Sequence, residues 1–498
     1  MKRIPNLPRP VPEITVGTTV TGSDVIDCRV VLADTDPGPA PVRRDGDGPQ
    51  AELAADGVWE IRVPRRPGPL TDLASIAEEP RLADDRWAAA AAVLVRRLGA
   101  LVDGHPVRAK RHTVQIRVPE ETTAHNLRNL AQGVVLGARP LVVTRKDAPV
   151  DVRSVHVDIA GMLRESDDSD GAVTTRAEGS VRRGRLLGAA TMLARDINAV
   201  PAPSATSVWW RRKAKAVLGD IAGTRVKTHG RGWLQRKGFG GILATATAGA
   251  GVNDPEGEDE VGFVEMFWDP AAAEGDLTDD RPEFLLVGGA PVPAVIRALA
   301  ELRGPHKVVG LVPVHGFNPP PSAPGRARPV VEHVNGTTTQ VPGLSTATEQ
   351  VEVCRRLALA DAVAYGVQRY RPRRVVIVGP VSTASKTALG ELTGAVTGDA
   401  QAVRRVTLRG ARVGERWWPL PTPDYLEDAV NSGDADLTVV PDGPGAVTAA
   451  LFLRRFADGV PCTVLDTTGP SWSDSARGDV DRGSTGFAAR TLVEWFRK

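Results

Sequence analysis

The chain has 498 residues, 42% of them hydrophobic and 24% charged, with a formal net charge of +2 at neutral pH. A chain of this length can bury a large core without staples and carries a soft expectation of two to four domains. Its nearly balanced charge gives no ground for a nucleic-acid or acidic partner. The three cysteines, Cys28, Cys354 and Cys462, sit far apart with no CxxC pair, so neither a disulfide framework nor a zinc knuckle is indicated. No apolar run follows the basic start MKRIPNLPRPVPEITV, and no stretch reaches the length of a membrane-crossing helix, so the expected setting is cytoplasmic.

In chain order, the Pro-, Gly- and Asp-rich stretch 35–49 reads as loop. Alternating runs at 58–63 and 113–118 predict strands, while 84–98 and 122–136 predict helices. An α/β domain is therefore expected over 1–165, followed by a linker at 166–174 within the acidic, serine-rich patch ESDDSDG (165–171). Beyond it, 182–197 predicts a helix that stops at PAPS. The runs 284–287 and 308–314 predict buried strands with a helix at 294–302 between them. A helix over 351–367 leads into the apolar strand 374–378. Such alternation implies a second α/β domain over 175–498, built on a mostly parallel sheet with helices on both faces.

The final hundred residues carry a more specific signal. GERWWPLPTPDY (414–425), SGDADLTVV (432–440), PGAVTAALFLRRF (444–456), LDTTGPSW (465–472) and GSTGFAARTLVEWF (483–496) follow one another in an order that resembles the end of the leucyl aminopeptidase (cytosol aminopeptidase) catalytic domain. Upstream, ARDINAVPAP (194–203), RKGFGGILATATAGAG (236–251) and the segment 308–341 resemble further stretches of the same family, so the resemblance covers roughly 175–498. It implies the two-domain leucyl aminopeptidase fold and a hexameric assembly of trimers paired by dihedral symmetry. For an active member it also implies two divalent metals, zinc or manganese, that polarise the scissile carbonyl and generate a hydroxide.

The family draws its metal ligands from two motifs, and this chain departs from both. The first reads Val-Gly-Lys-Gly-x-x-x-Asp-x-Gly-Gly, with a further Lys and Asp downstream. Here FLLVGG (284–289) runs through APVP straight into the predicted helix, and no Asp occurs between Asp280 and Asp361. The second reads Asn-Thr-Asp-Ala-Glu-Gly-Arg-Leu. Aligned forward from GTTTQV (336–341), its two ligand positions fall on Ser345 and Ala347. Aligned back from RLALAD (356–361), they fall on Glu352 and Cys354, with Arg356 kept and Arg355 in place of the glycine. The family's Thr-Leu-Thr-Gly strand end becomes PVST (380–383).

Other residues offer little replacement. The eight histidines, at 105, 112, 125, 156, 229, 306, 315 and 333, show no HExxH spacing, although His315 lies near the old active-site segment. The carboxylates of DPEGEDE (254–260) read as a solvated loop. Cys354 beside Arg355 and Arg356 has a setting that lowers a thiol pKa, but a helix-buried cysteine is the commoner case. The resulting expectation is a pseudopeptidase serving as a structural, regulatory or binding subunit, with no cofactor, no catalytic residue beyond the remnants Glu352, Cys354 and Arg356, and a protein or peptide partner. One rival is an enzyme of a specialised pathway with altered or residual metallopeptidase chemistry. The other is DNA binding through RAKRH (108–112) and RRKAK (211–215), clusters that fit solvated faces equally well.

Overall fold

A computed structural model describes residues 7–21, 25–33, 50–56, 58–64, 86–104, 113–137, 152–164, 171–201, 204–246, 260–274, 281–316 and 329–497. The predicted loop at 35–49, the cluster 108–112, most of the expected linker and most of DPEGEDE lie outside them. The chain divides into two compact units. One comprises 1–196, 411–414 and 473–485, the other 197–410, 415–472 and 486–498. Among the described residues no helix is long and apolar enough to cross a membrane.

The first unit contains the strands β1 (Glu13–Gly17), β2 (Val25–Ala33), β3 (Gln50–Leu53), β4 (Trp59–Pro64), β5 (Thr113–Arg117) and β6 (Ser154–Asp158). They form one sheet in the order β1-β6-β5-β2-β4-β3, parallel except at β3–β4. Its helices are α1 (Arg86–Gly104), α2 (Ala124–Leu136), α3 (Ala160–Arg164) and α4 (Ala172–Asn198). α1 and α2 lie close because Gly133 and Gly137 present no side chain; a Cβ on Gly133 would stand 2.1 Å from the Ala88 carbonyl oxygen. α4 runs unbroken through residue 175, the expected start of the second domain.

The second unit is built on an eight-stranded sheet. In chain order its elements are α5 (Ser207–Leu218), β7 (Thr224–Gly230), α6 (Arg231–Lys237), α7 (Gly240–Leu243), β8 (Gly262–Trp268), α8 (Pro270–Ala273), β9 (Phe284–Gly288), α9 (Pro291–Glu301) and β10 (Val308–Val314). There follow β11 (Val330–Glu332), β12 (Thr338–Gln340), α10 (Ala347–Tyr370), β13 (Arg374–Gly379), α11 (Thr383–Leu389), β14 (Thr393–Thr397), α12 (Ala400–Arg412) and β15 (Arg416–Pro419). The last are β16 (Leu437–Thr438), α13 (Gly445–Arg455), β17 (Cys462–Asp466) and α14 (Ala489–Phe496). The strand order is β15-β14-β17-β13-β9-β10-β8-β7. The central run β17-β13-β9-β10 is parallel, as expected. Antiparallel pairs flank it at β14–β17, β8–β10 and β7–β8.

Period-two side-chain alternation assigns each face of the central strands its own helices. Leu285, Val287, Leu311, Val375 and Ile377 join the buried cluster containing α10 and α13 residues. On the other face Phe284 stacks on Phe496 of α14, with ring centroids 4.1 Å apart. Burial on both faces explains why these strands read as unbroken apolar runs. The fold is thus the expected mixed α/β type.

Candidate functional site

In an open α/β sheet, a crevice forms at the carboxyl ends of the strands where successive connections leave in opposite directions. Here that point lies between β9 and β13. β9 connects through α9 to β10 on one side, whereas β13 connects through α11 to β14 on the other. The strand ends meeting there carry Gly288–Gly289, Gly379–Val381, His315 and Asp466.

α10 delivers the remaining side chains. It starts at a capping box, in which Thr346 Oγ1 accepts from Glu349 N and the Glu349 carboxylate accepts from Thr346 N. Ser345 and Ala347 lie at this exposed start. One and two turns further on, Glu352, Arg355 and Arg356 reach the strand ends, while Cys354 between them is buried.

Arg356 is buried and consumed by the fold. Its Nε and Nη2 each donate to Val381 O at 3.1 Å, Nη1 donates to Val439 O at 3.1 Å, and Nη2 pairs with Glu352 Oε2 at 2.8 Å. The second Glu352 oxygen accepts from Thr383 N at 2.7 Å. Glu352 is therefore committed to one guanidinium and one backbone amide. Cys354 is fully buried, and desolvation pushes its thiol up to about 12 despite Arg355, so it is a packed core residue rather than a thiolate.

Arg355 is half-buried and donates Nη1 to Pro380 O at 3.0 Å. Burial lowers its pKa, opposed chiefly by Asp466 and Glu352. His315 lies within its field: burial first, then Arg355, bring the imidazole down to about 4, so it is neutral at physiological pH. Asp466 closes the group from the end of β17. It accepts from Val381 N, Ser382 N, Ser385 Oγ, Thr468 N and Thr468 Oγ1 at 2.5–3.1 Å. Burial nonetheless pushes its pKa upward. Asp466 was not singled out from the sequence; a carboxylate ending the apolar strand CTVLD was the available signal.

Two close divalent ions need several carboxylates to offset their charge. This donor set does not fit them. Glu352 is paired with Arg356 and Thr383 N, Asp466 accepts five donors, Cys354 is a buried thiol, and the Arg355 guanidinium interacts with all three. Among the described residues no group of three or more His, Cys, Asp or Glu side chains stands together in a metal-binding arrangement.

Other histidines have structural partners. His156 contacts Thr15 Oγ1 at 3.0 Å, His333 pairs with Asp361 at 2.8 Å in full burial, and His229 pairs with Glu265 at 2.6 Å while stacking on Trp233. RRKAK (211–215) lies on α5, with Arg212 and Lys215 exposed.

The sheet order, the flanking helices and the position of the crevice define an aminopeptidase-type α/β subunit. The profile described as "Cytosol aminopeptidase family, catalytic domain" matches residues 283–493. A probable cytosol aminopeptidase of Solibacter usitatus is 30% identical over 339 residues, covering 64% of this chain and 68% of that protein. Another from Nitratidesulfovibrio vulgaris is 32% identical over 338 residues, and the aligned region spans 64% of each chain. The chain belongs to the cytosol aminopeptidase family. Among solved structures, the bottromycin maturation enzyme BotP in complex with Mn is similar at TM-score 0.69 and 25% identity, covering 96% of this chain and 99% of that one. A tomato leucine aminopeptidase mutant shares the fold at TM-score 0.73 and 20% identity, covering 99% and 98%.

Proposed function

We propose that this chain is a catalytically inactive member of its family, a pseudopeptidase acting as a cytoplasmic binding or regulatory subunit within a homo-hexamer. The observation that carries this reading is the Arg355 guanidinium in the crevice, beside a Glu352 already neutralised by Arg356. A fixed cation there repels divalent ions, and a carboxylate paired to arginine is a poor ligand for them. Without a Lewis acid there is no activated hydroxide. The test is hydrolysis of aminoacyl-anilides and dipeptides by pure protein in excess zinc, manganese or cobalt, alongside metal analysis by mass spectrometry. No turnover and no stoichiometric metal are expected; metal-dependent release of N-terminal residues would overturn the reading.

A second reading is an enzyme of a specialised pathway, and the similarity to BotP, a maturation enzyme, favours it. Under that reading the crevice keeps altered or residual metallopeptidase chemistry, and metal-dependent turnover in the same assay separates the two.

A further inference from the structure

The crevice has a floor without side chains. The last recorded pair between β13 and β9 is Val378 with Gly288, so one further step sets Gly379 beside Gly289. Gly379 is buried and Gly289 half-buried, yet among the described residues a Cβ on either would meet nothing within 4 Å. Among the described residues, no side chain fills the space above these two glycines. Gly288 contrasts with them, since a Cβ there would stand 2.2 Å from Val378 O.

Arg355 stands beside this space at the end of β13. Its guanidinium is hydrogen-bonded at the end of β13 through Pro380 O, interacts with His315 after the end of β10, and interacts with Asp466 at the end of β17. In the sheet order β17-β13-β9-β10, the end of β9 lies between those anchors, and there the chain places Gly289. Among the described residues Pro380 O is the hydrogen-bond partner of this guanidinium, which leaves further N–H donors of its fork to face the crevice. The start of α9 competes little for an anion. Pro291 and Pro293 have no N–H, and Val292 N is bonded to Gly289 O at 3.0 Å.

We propose that this crevice, floored by Gly289 and Gly379 and faced by Arg355, binds the carboxylate of a small organic ligand. The inference rests on the reading of the chain as a metal-free binding subunit, and it names the ligand chemistry of that same site. A planar guanidinium matches a carboxylate in shape and charge. Arg355 and Arg356 face Glu352 and Asp466, so two cations meet two carboxylates and the crevice offers no large positive excess for a phosphate dianion.

The probe is N-acetyl-trialanine, which has a carboxylate and no free amine, compared by calorimetry with its C-terminal amide and with inorganic phosphate. The acid is expected to bind at least tenfold more tightly than either. Arg355→Met should weaken it at least tenfold, and Arg355→Lys should restore part of the loss. Gly289→Val should block binding without lowering the melting temperature, because its side chain enters open space. Equal binding of acid and amide, tighter binding of phosphate, no heat with the acid, or unchanged affinity in Gly289→Val would overturn the proposal. If Arg355→Met fails to fold, the acid–amide comparison and Gly289→Val still decide. Parallel incubation of unblocked trialanine with excess manganese separates the two readings. Hydrolysis there would sink the inactive assignment, while the blocked peptide would still report carboxylate binding.

Discussion

At the scale of single residues, the crevice is a set of charges that satisfy one another. Restoring one carboxylate should therefore not restore a metal site. A glutamate from Cys354→Glu would enter a fully buried position beside Arg355 and pair with that guanidinium. Mass spectrometry of the variant incubated with manganese should show metal indistinguishable from the parent protein; stoichiometric manganese would contradict this. His315 gives a pH signature. Its folded pKa of about 4 lies below that of an unfolded histidine, so the unfolded chain binds the extra proton first as pH falls. The stability contribution is complete above the unfolded value near 6.5 and is lost as pH drops towards 4. Allowing for its partial exposure, the loss is roughly 2 kcal/mol. Urea denaturation at pH 7 and pH 5 should show the slope, and His315→Gln should flatten it.

At the scale of elements, glycines set how closely the central strands and helices approach. Gly366 of α10 leaves room for Leu285 and Leu311, where a Cβ would stand 2.5 Å from Leu285 Cδ2. Gly310 of β10 does the same for Val292 of α9 on the opposite face. Gly288 is the tightest of these, because its neighbour is a backbone carbonyl that cannot rotate away. Gly288→Ala should cost about 3 kcal/mol, read as a lower urea midpoint, whereas Gly289→Ala should be nearly neutral. Equal losses at both positions would show that the strand register between β9 and β13 differs from this one. The helices were largely legible in the sequence because their ends are punctuated. The PAPS run predicted where α4 stops, and the periodic run at 351–367 located α10. The capping box at Thr346 extends α10 beyond that run; its Thr-x-x-Glu signature stands in the sequence at 346–349, upstream of the periodic residues that located the helix.

At the scale of the whole molecule, the family places this chain among proteins whose resemblance implies a dihedral hexamer. Light scattering is expected to give six times the 52.8 kDa chain mass. A monomer at micromolar concentration would show that the altered crevice segments, or the interfaces themselves, no longer support assembly.

The sequence by itself determined the architecture and the departure from the family's metal motifs. Local periodicity and turn chemistry are short-range, and an aspartate missing between Asp280 and Asp361 is missing whatever the fold. It left two registers open for the second motif. Tertiary structure put Ser345 and Ala347 at the exposed start of α10, and Glu352 and Arg356 against the ends of β13 and β16. It alone gathered Arg355, His315 and Asp466, which are separated by up to 151 residues, around an empty glycine floor. Strand order is a long-range property: only the packing of α10 across the sheet brings those three side chains within range of one another.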